Sequence, residues 1–60
     1  MFYIKNKKGL YFAYALWGFA NWTEDHEEAY PYNSRVSAEE DLLFYEMLDH
    51  VIVKVDQDNL

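Results

Sequence analysis

Two β-rich runs open the chain, Phe2-Tyr3-Ile4-Lys5 and Leu10-Tyr11-Phe12-Ala13-Tyr14-Ala15-Leu16, with Asn6-Lys7-Lys8-Gly9 between them. Asn at the turn entry and Gly at its exit suit a type I turn followed by a left-handed residue, so a β-hairpin is predicted. Trp17-Gly18-Phe19-Ala20-Asn21-Trp22 is apolar without a regular period, and its glycine predicts a bend, a bulge or a loop lying on the core. Next, Thr23 or Asp25 is placed to cap a short helical turn through Ala29, whose acids suit a helix N-terminus. Pro31 ends that turn. Tyr30-Pro31-Tyr32 reads as a short extended piece or an edge strand, because proline cannot donate to a central ladder.

Ser37-Ala38-Glu39-Glu40 has the S-x-x-E form of a capping box and predicts a helix from about Ala38 to His50. Val51 to Val55 is a β-branched run that reads as a last strand, with Asp56 to Leu60 as a polar tail. The expectation is an α+β fold in the order β-β-(β)-α-β: a small antiparallel sheet built on the first hairpin, joined by the last strand and packed against one helix. Whether that last strand runs parallel or antiparallel to its neighbour stays open.

On the helix, Phe44, Leu48, Tyr45, Ala38 and Leu42 share one broad arc, and Leu43 and Met47 lie on another side. One sheet cannot cover both. Either the helix is wedged between the sheet and the Trp17 to Trp22 segment, or one arc meets a partner or a second copy in a homodimer.

Sixty residues make one domain, and a chain this short buries only about 60% of the surface it exposes when unfolded. Without cysteine it has neither disulfides nor thiolate metal ligands, which fits a reducing, cytoplasmic setting. Two Trp, six Tyr and four Phe supply the core, and so small a fold cannot enclose all twelve rings. Some are therefore expected at the surface as contact residues. Leu10 to Ala20 is too short to span a bilayer, and Met1 is followed at once by a strand pattern and not by a secretory leader.

The charge of −6 is uneven. Lys5, Lys7 and Lys8 stand in the first twenty residues without an acid, whereas Asn21 to Leu60 carries eleven carboxylates against Arg35 and Lys54, a net of −9. Such a field disfavours direct binding to nucleic acid or an anionic membrane and favours a basic protein surface. No phosphate loop, nucleophile elbow or H-E-x-x-H pair is present, and Ser34 and Ser37 have turn and cap duties, so no enzyme is predicted. His26 and His50 lack a convincing ligand spacing. Glu46 with His50 is more simply an i,i+4 pair, and no metal or other cofactor is expected. Asn21-Trp22-Thr23 matches the N-glycosylation pattern by chance.

The acids fall into two clusters, Glu24, Asp25, Glu27 and Glu28 before the proline, and Glu39, Glu40, Asp41, Glu46 and Asp49 on the helix. Solubility alone is one sufficient reason for them. The sharper expectation is that rows of carboxylates copy the phosphates of DNA, which carries about one charge per 1.7 Å of axis, and occupy a basic groove meant for it. Tyr30 and Tyr32 would add packed contact beside the first cluster.

Trp22-Thr23-Glu24-Asp25, followed by Ala29 and an aromatic, resembles the G-x-W-T-x-D-x-x-x-A pattern of small bacteriophage accessory proteins. Ala20-Asn21 stand where those proteins usually have a glycine, and the helix with its paired Glu and the valine-rich strand extend the likeness over most of the chain. The resemblance implies a small binding protein of the class that includes inhibitors of bacterial defence, anti-CRISPR proteins among them. It carries over no residue roles. The partner expected is then a basic nucleic-acid-binding protein or complex, such as a CRISPR surveillance complex, blocked by a DNA mimic. The alternative is a structural or regulatory interaction module that assembles through its aromatic and helix faces.

Overall fold

The computed structural model describes residues 1–47 and 49–55. Strands β1 (Phe2–Lys5), β2 (Tyr11–Leu16), β3 (Phe19–Thr23) and β4 (Val51–Lys54) form one antiparallel sheet in the order β3-β2-β1-β4. Between β3 and β4 come a 3₁₀ turn (His26–Glu28) and one helix, α1 (Arg35–Phe44). The α+β fold is as predicted, with β3 added. β4 is antiparallel to β1, placing Lys54 opposite Phe2 and Ile52 opposite Ile4. The expected tail from Asp56 and the expected place of Leu48 on the helix arc lie outside the described residues.

The first hairpin forms for the reason its turn sequence suggests. Asn6 Oδ1 accepts from the N–H groups of Lys8 (2.9 Å) and Leu10 (3.0 Å), Gly9 N–H donates to Asn6 C=O, and Gly9 has φ +85°. Of the bend, bulge or loop expected for the Trp17 to Trp22 segment, the bend is found at its glycine, as the turn of a second hairpin. Trp17 and Gly18 both have positive φ, 56° and 81°, the signature of a two-residue type I′ turn whose twist matches that of the flanking strands. β2 and β3 then pair from Leu16 opposite Phe19 to Tyr11 opposite Thr23, with one irregularity between Phe12 and Tyr14.

Of the two readings of Tyr30-Pro31-Tyr32, a short extended piece or an edge strand, the first holds. β1 and β2 pair at Lys5 and Tyr11, and beyond that point this segment lies between them. Tyr30 N–H donates to Phe12 C=O on β2, and Tyr32 exchanges two bonds with Phe2 on β1, all at 2.9 Å. Pro31 falls between the two donors, where no ladder bond is asked of it.

β1 is covered on both faces. Ile4 faces α1 in a core with Phe12, Tyr32, Ala38 and Met47, flanked by Phe2, Ala15, Ala20, Trp22, Leu42, Tyr45 and Ile52. Tyr3, one residue earlier, points to the opposite face, where it packs against Tyr11 and His26. α1 packs mainly on β1 and β4, so it is not wedged against the Trp17 to Trp22 segment, although Ala20 and Trp22 reach the same core.

The helix starts and ends earlier than the expected Ala38 to His50. Ser34, not Ser37, is the N-cap: it is extended, and its Oγ accepts from Ser37 N–H at 3.2 Å. At the other end Glu46 takes a left-handed φ of 58°, Met47 N–H donates to Leu42 C=O (2.7 Å) and Glu46 N–H to Leu43 C=O (3.1 Å). These bonds are those of a Schellman cap, and its usual apolar contact brings Met47 back beside Leu42 in the core. The expected pairing of the two arcs is thereby changed. Met47 is buried because the chain has already left the helix, whereas Phe44 of the main arc is 75% exposed, beside exposed Leu43. Glu46 and His50 cannot form the i,i+4 pair, and the His50 ring packs edge-on against Trp22 at 5.0 Å.

This cap assignment has a direct consequence. Ser34→Ala is expected to cost about 0.5–2 kcal/mol in urea denaturation. Ser37→Ala, on an exposed side chain within the first turn, should stay within about 0.5 kcal/mol. The reverse order would restore Ser37 as the cap.

Candidate partner-binding surface

The first acidic cluster is mounted on the sheet and not on a free loop. Thr23, the last residue of β3, accepts at Oγ1 from Asp25 N–H and donates from the same hydroxyl to Glu28 Oε1, both at 3.2 Å. Asp25 Oδ1 accepts from Glu27 N–H at 2.9 Å and so caps the 3₁₀ turn. The turn is pinned from below by His26, whose ring stands edge-on to Tyr3 and Tyr11 at 5.9 and 6.2 Å. Glu24, Asp25, Glu27 and Glu28 are all exposed above this anchor. Among the described residues no cation lies within salt-bridge distance of any of them; the one ion pair joins Lys7 to Asp49 at 3.8 Å, with both side chains about three-quarters exposed.

The second cluster lies on the other side of the sheet. Glu39 and Glu40 are exposed on α1, Asp41 is half-buried, and Glu46 and Asp49 are exposed beyond the helix end. Tyr30, Tyr32, Glu40 and Asp41 come together with Pro31, Asn33 and Ser37 around a shallow depression of about 240 Å³. Tyr32 is not the exposed contact residue expected: it is 4% exposed, and its hydroxyl donates to Asp41 Oδ2 at 2.7 Å. Burial, then the hydrogen bond and charge of Asp41, push its phenol pKa far above the ordinary tyrosine range. Tyr32 and Asp41 therefore hold the helix against the sheet. Tyr30, half-exposed and 4.9 Å from the Tyr32 ring, is the tyrosine open to a partner.

The sheet thus separates what the sequence places side by side. His26 docks the first cluster on the face away from α1, while Glu39, Glu40 and Asp41 of the second ride on α1 and Glu46 and Asp49 follow its end. A partner groove meets one cluster at a time, or wraps the domain.

Sequence reasoning missed a third feature, the tip of the β2–β3 hairpin. Trp17 is 88% exposed and Phe19 74%, with Tyr14 and Leu16 more than half-exposed beside them. The signal was present: bulky Tyr14, Leu16 and Phe19 alternate with small Ala15 and Ala20, and the alanines face the core. Such an alternation around Trp-Gly is that of a hairpin with one apolar face left uncovered.

Among the described residues no group of His, Cys, Asp and Glu is arranged to hold a metal ion, and no helix is long and apolar enough to cross a membrane. Comparison with protein-family models, curated proteins and solved structures found no match.

Proposed function

We propose that this protein is a small inhibitor that binds a basic, nucleic-acid-handling protein complex of a bacterial host, in the manner of anti-CRISPR proteins. It occupies a positively charged groove with its acidic clusters. The observation that carries this reading is the mount of the first cluster: four exposed carboxylates, without cation partners among the described residues, on a capped turn anchored by a half-buried histidine. Like charges held close together cost a marginal domain stability, so their rigid presentation favours use at an interface. The second cluster, with Tyr30 at its margin, adds charge and one packed ring.

Charges at such an interface steer encounter and set partner choice. Reversing the centre of the first cluster, Glu27→Lys with Glu28→Lys, should cost at least about 2 kcal/mol of partner affinity, the loss expected when interfacial charges lose their counterparts. The sheet and helix should be unchanged, since neither Glu27 nor Glu28 is buried and the one side-chain bond lost is the exposed one from Thr23 to Glu28. Affinity by titration calorimetry, with circular dichroism as the fold check, decides the point; unaltered affinity would remove the first cluster from the interface.

A second reading, assembly into a larger protein structure with charge incidental, is favoured by the uncovered rings of Trp17 and Phe19. Salt separates the two. Apolar assembly varies little between low and moderate ionic strength, whereas groove binding through carboxylates weakens steeply.

A further inference from the structure

We infer that the cleft between the first hairpin turn and the start of β4 binds a small aromatic anion, a planar ring carrying a phosphate or carboxylate group. This goes beyond the groove-binding reading and turns on the basic start of the chain, which that reading leaves unused. The cleft has a volume of about 390 Å³, in the range of small-molecule sites, and is lined by Lys7, Lys8, Leu10, Trp22, Asp49 and His50. Of the five Lys and Arg side chains, three lie over rings: Lys5 over Tyr11 at 5.2 Å, and Arg35 and Lys54 over Phe2 at 5.4 and 6.0 Å. The other two, Lys7 and Lys8, stand together at the cleft.

Each part of the lining fits one part of such a ligand. Asn6 Oδ1 accepts from the N–H groups of Lys8 and Leu10, so the turn that carries both lysines is held in one shape. Their ammonium groups suit a phosphate or carboxylate, to which they give charge-assisted hydrogen bonds. Lys7 is open to exchange: its ion pair with Asp49 is 3.8 Å long with both side chains about three-quarters exposed, and so weak a pair yields to an incoming anion. Trp22 and Leu10, both half-buried, supply the apolar surface on which a planar ring packs. His50 adds direction. Its Nδ1 is buried without a hydrogen-bond partner, so a proton there would have no acceptor, and the neutral ring carries its proton on Nε2 as a donor. The Trp22 and His50 rings stand edge-on at 5.0 Å, an aromatic corner beside the two cations.

An NMR titration of the full chain tests this, with 5′-adenosine monophosphate as the phosphate probe and benzoate as the carboxylate probe. Saturable shifts of the Trp22 indole N–H, the His50 ring and the Lys7 and Lys8 amides are expected with at least one of them, and the one that binds identifies the anionic group. Ring and anion supplied separately, as adenosine and inorganic phosphate or as benzamide and acetate, should each bind at least about tenfold more weakly than the whole. Lys7→Gln with Lys8→Gln should weaken binding at least about tenfold. Asp49→Asn should tighten it about twofold to fivefold, because Asp49 competes for Lys7. All three side chains are exposed, so signals from the rest of the fold should stay in place in these variants. The inference is overturned if neither probe binds, if shifts spread to Arg35 and Lys54 without saturating, or if the lysine variant binds as the wild type does.

Discussion

Ile4→Ala is expected to remove about 2–5 kcal/mol, a large part of the stability of this domain. Ile4 has no exposed surface, stands opposite Ile52 on β4, and shares the core with Phe12, Ala38 and Met47. Truncating a buried isoleucine costs about 2–5 kcal/mol, the lost transfer energy together with the cavity left behind. A domain of this length has roughly 3–9 kcal/mol in all, at the usual stability per residue. The core is small enough that no neighbour is free to fill the gap, since β1 is clamped by α1 on one face and by His26 on the other. Val51→Ala, on an exposed side chain of the same sheet, should change stability by no more than about 0.5 kcal/mol. Urea denaturation followed by circular dichroism compares the two, and equal losses would mean that the core lies elsewhere.

Tyr32→Phe is the second large effect. Its hydroxyl gives the Asp41 carboxylate a 2.7 Å hydrogen bond where the bridge segment meets α1, and bonds to charged groups are worth about 1.5–3 kcal/mol. A comparable loss of stability at neutral pH is expected. The variant also has a pH signature. Because the folded phenol is held above its unfolded value, by burial first and then by Asp41, the folded protein keeps this proton where the unfolded chain gives it up. The contribution is fully present below about pH 10, the unfolded value, and is lost as pH rises beyond it. Wild-type stability should therefore fall above that pH, and Tyr32→Phe should flatten the fall. An alkaline slope identical in the two proteins would place the titration on another group.

These residues show how far the sequence could be read and where it stopped. Asn6 and Gly9 announced their hairpin because the demands they meet, a side-chain acceptor and a positive φ, are local and specific to their residue types. The second hairpin was hidden by the expectation that large apolar residues go inside. Read that way, Trp17 and Phe19 look like core, and only the pairing of β2 with β3 places them in solvent. Ser34 and Ser37 stand three apart, and each is a fair cap by composition; the bond from Ser37 N–H to Ser34 Oγ decides between them. The helix end was invisible because glutamate is not a residue that signals a left-handed cap, and the place of Met47 followed from that turn. The acidic residues were plain in the sequence. Their division between two faces was not, because it depends on His26 docking beside Tyr3 and Tyr11.

Competition with DNA decides whether the acidic clusters occupy a nucleic-acid groove. The protein captures its partner complex from a bacterial lysate, and the purified complex is then challenged with duplex DNA that the partner binds, at low and at moderate salt. Mutual exclusion is expected: DNA displaces the protein, the protein blocks DNA, and affinity falls as salt rises, with the Glu27→Lys, Glu28→Lys variant failing to compete. A partner that holds the protein and its DNA at the same time, neither weakening the other, would contradict it.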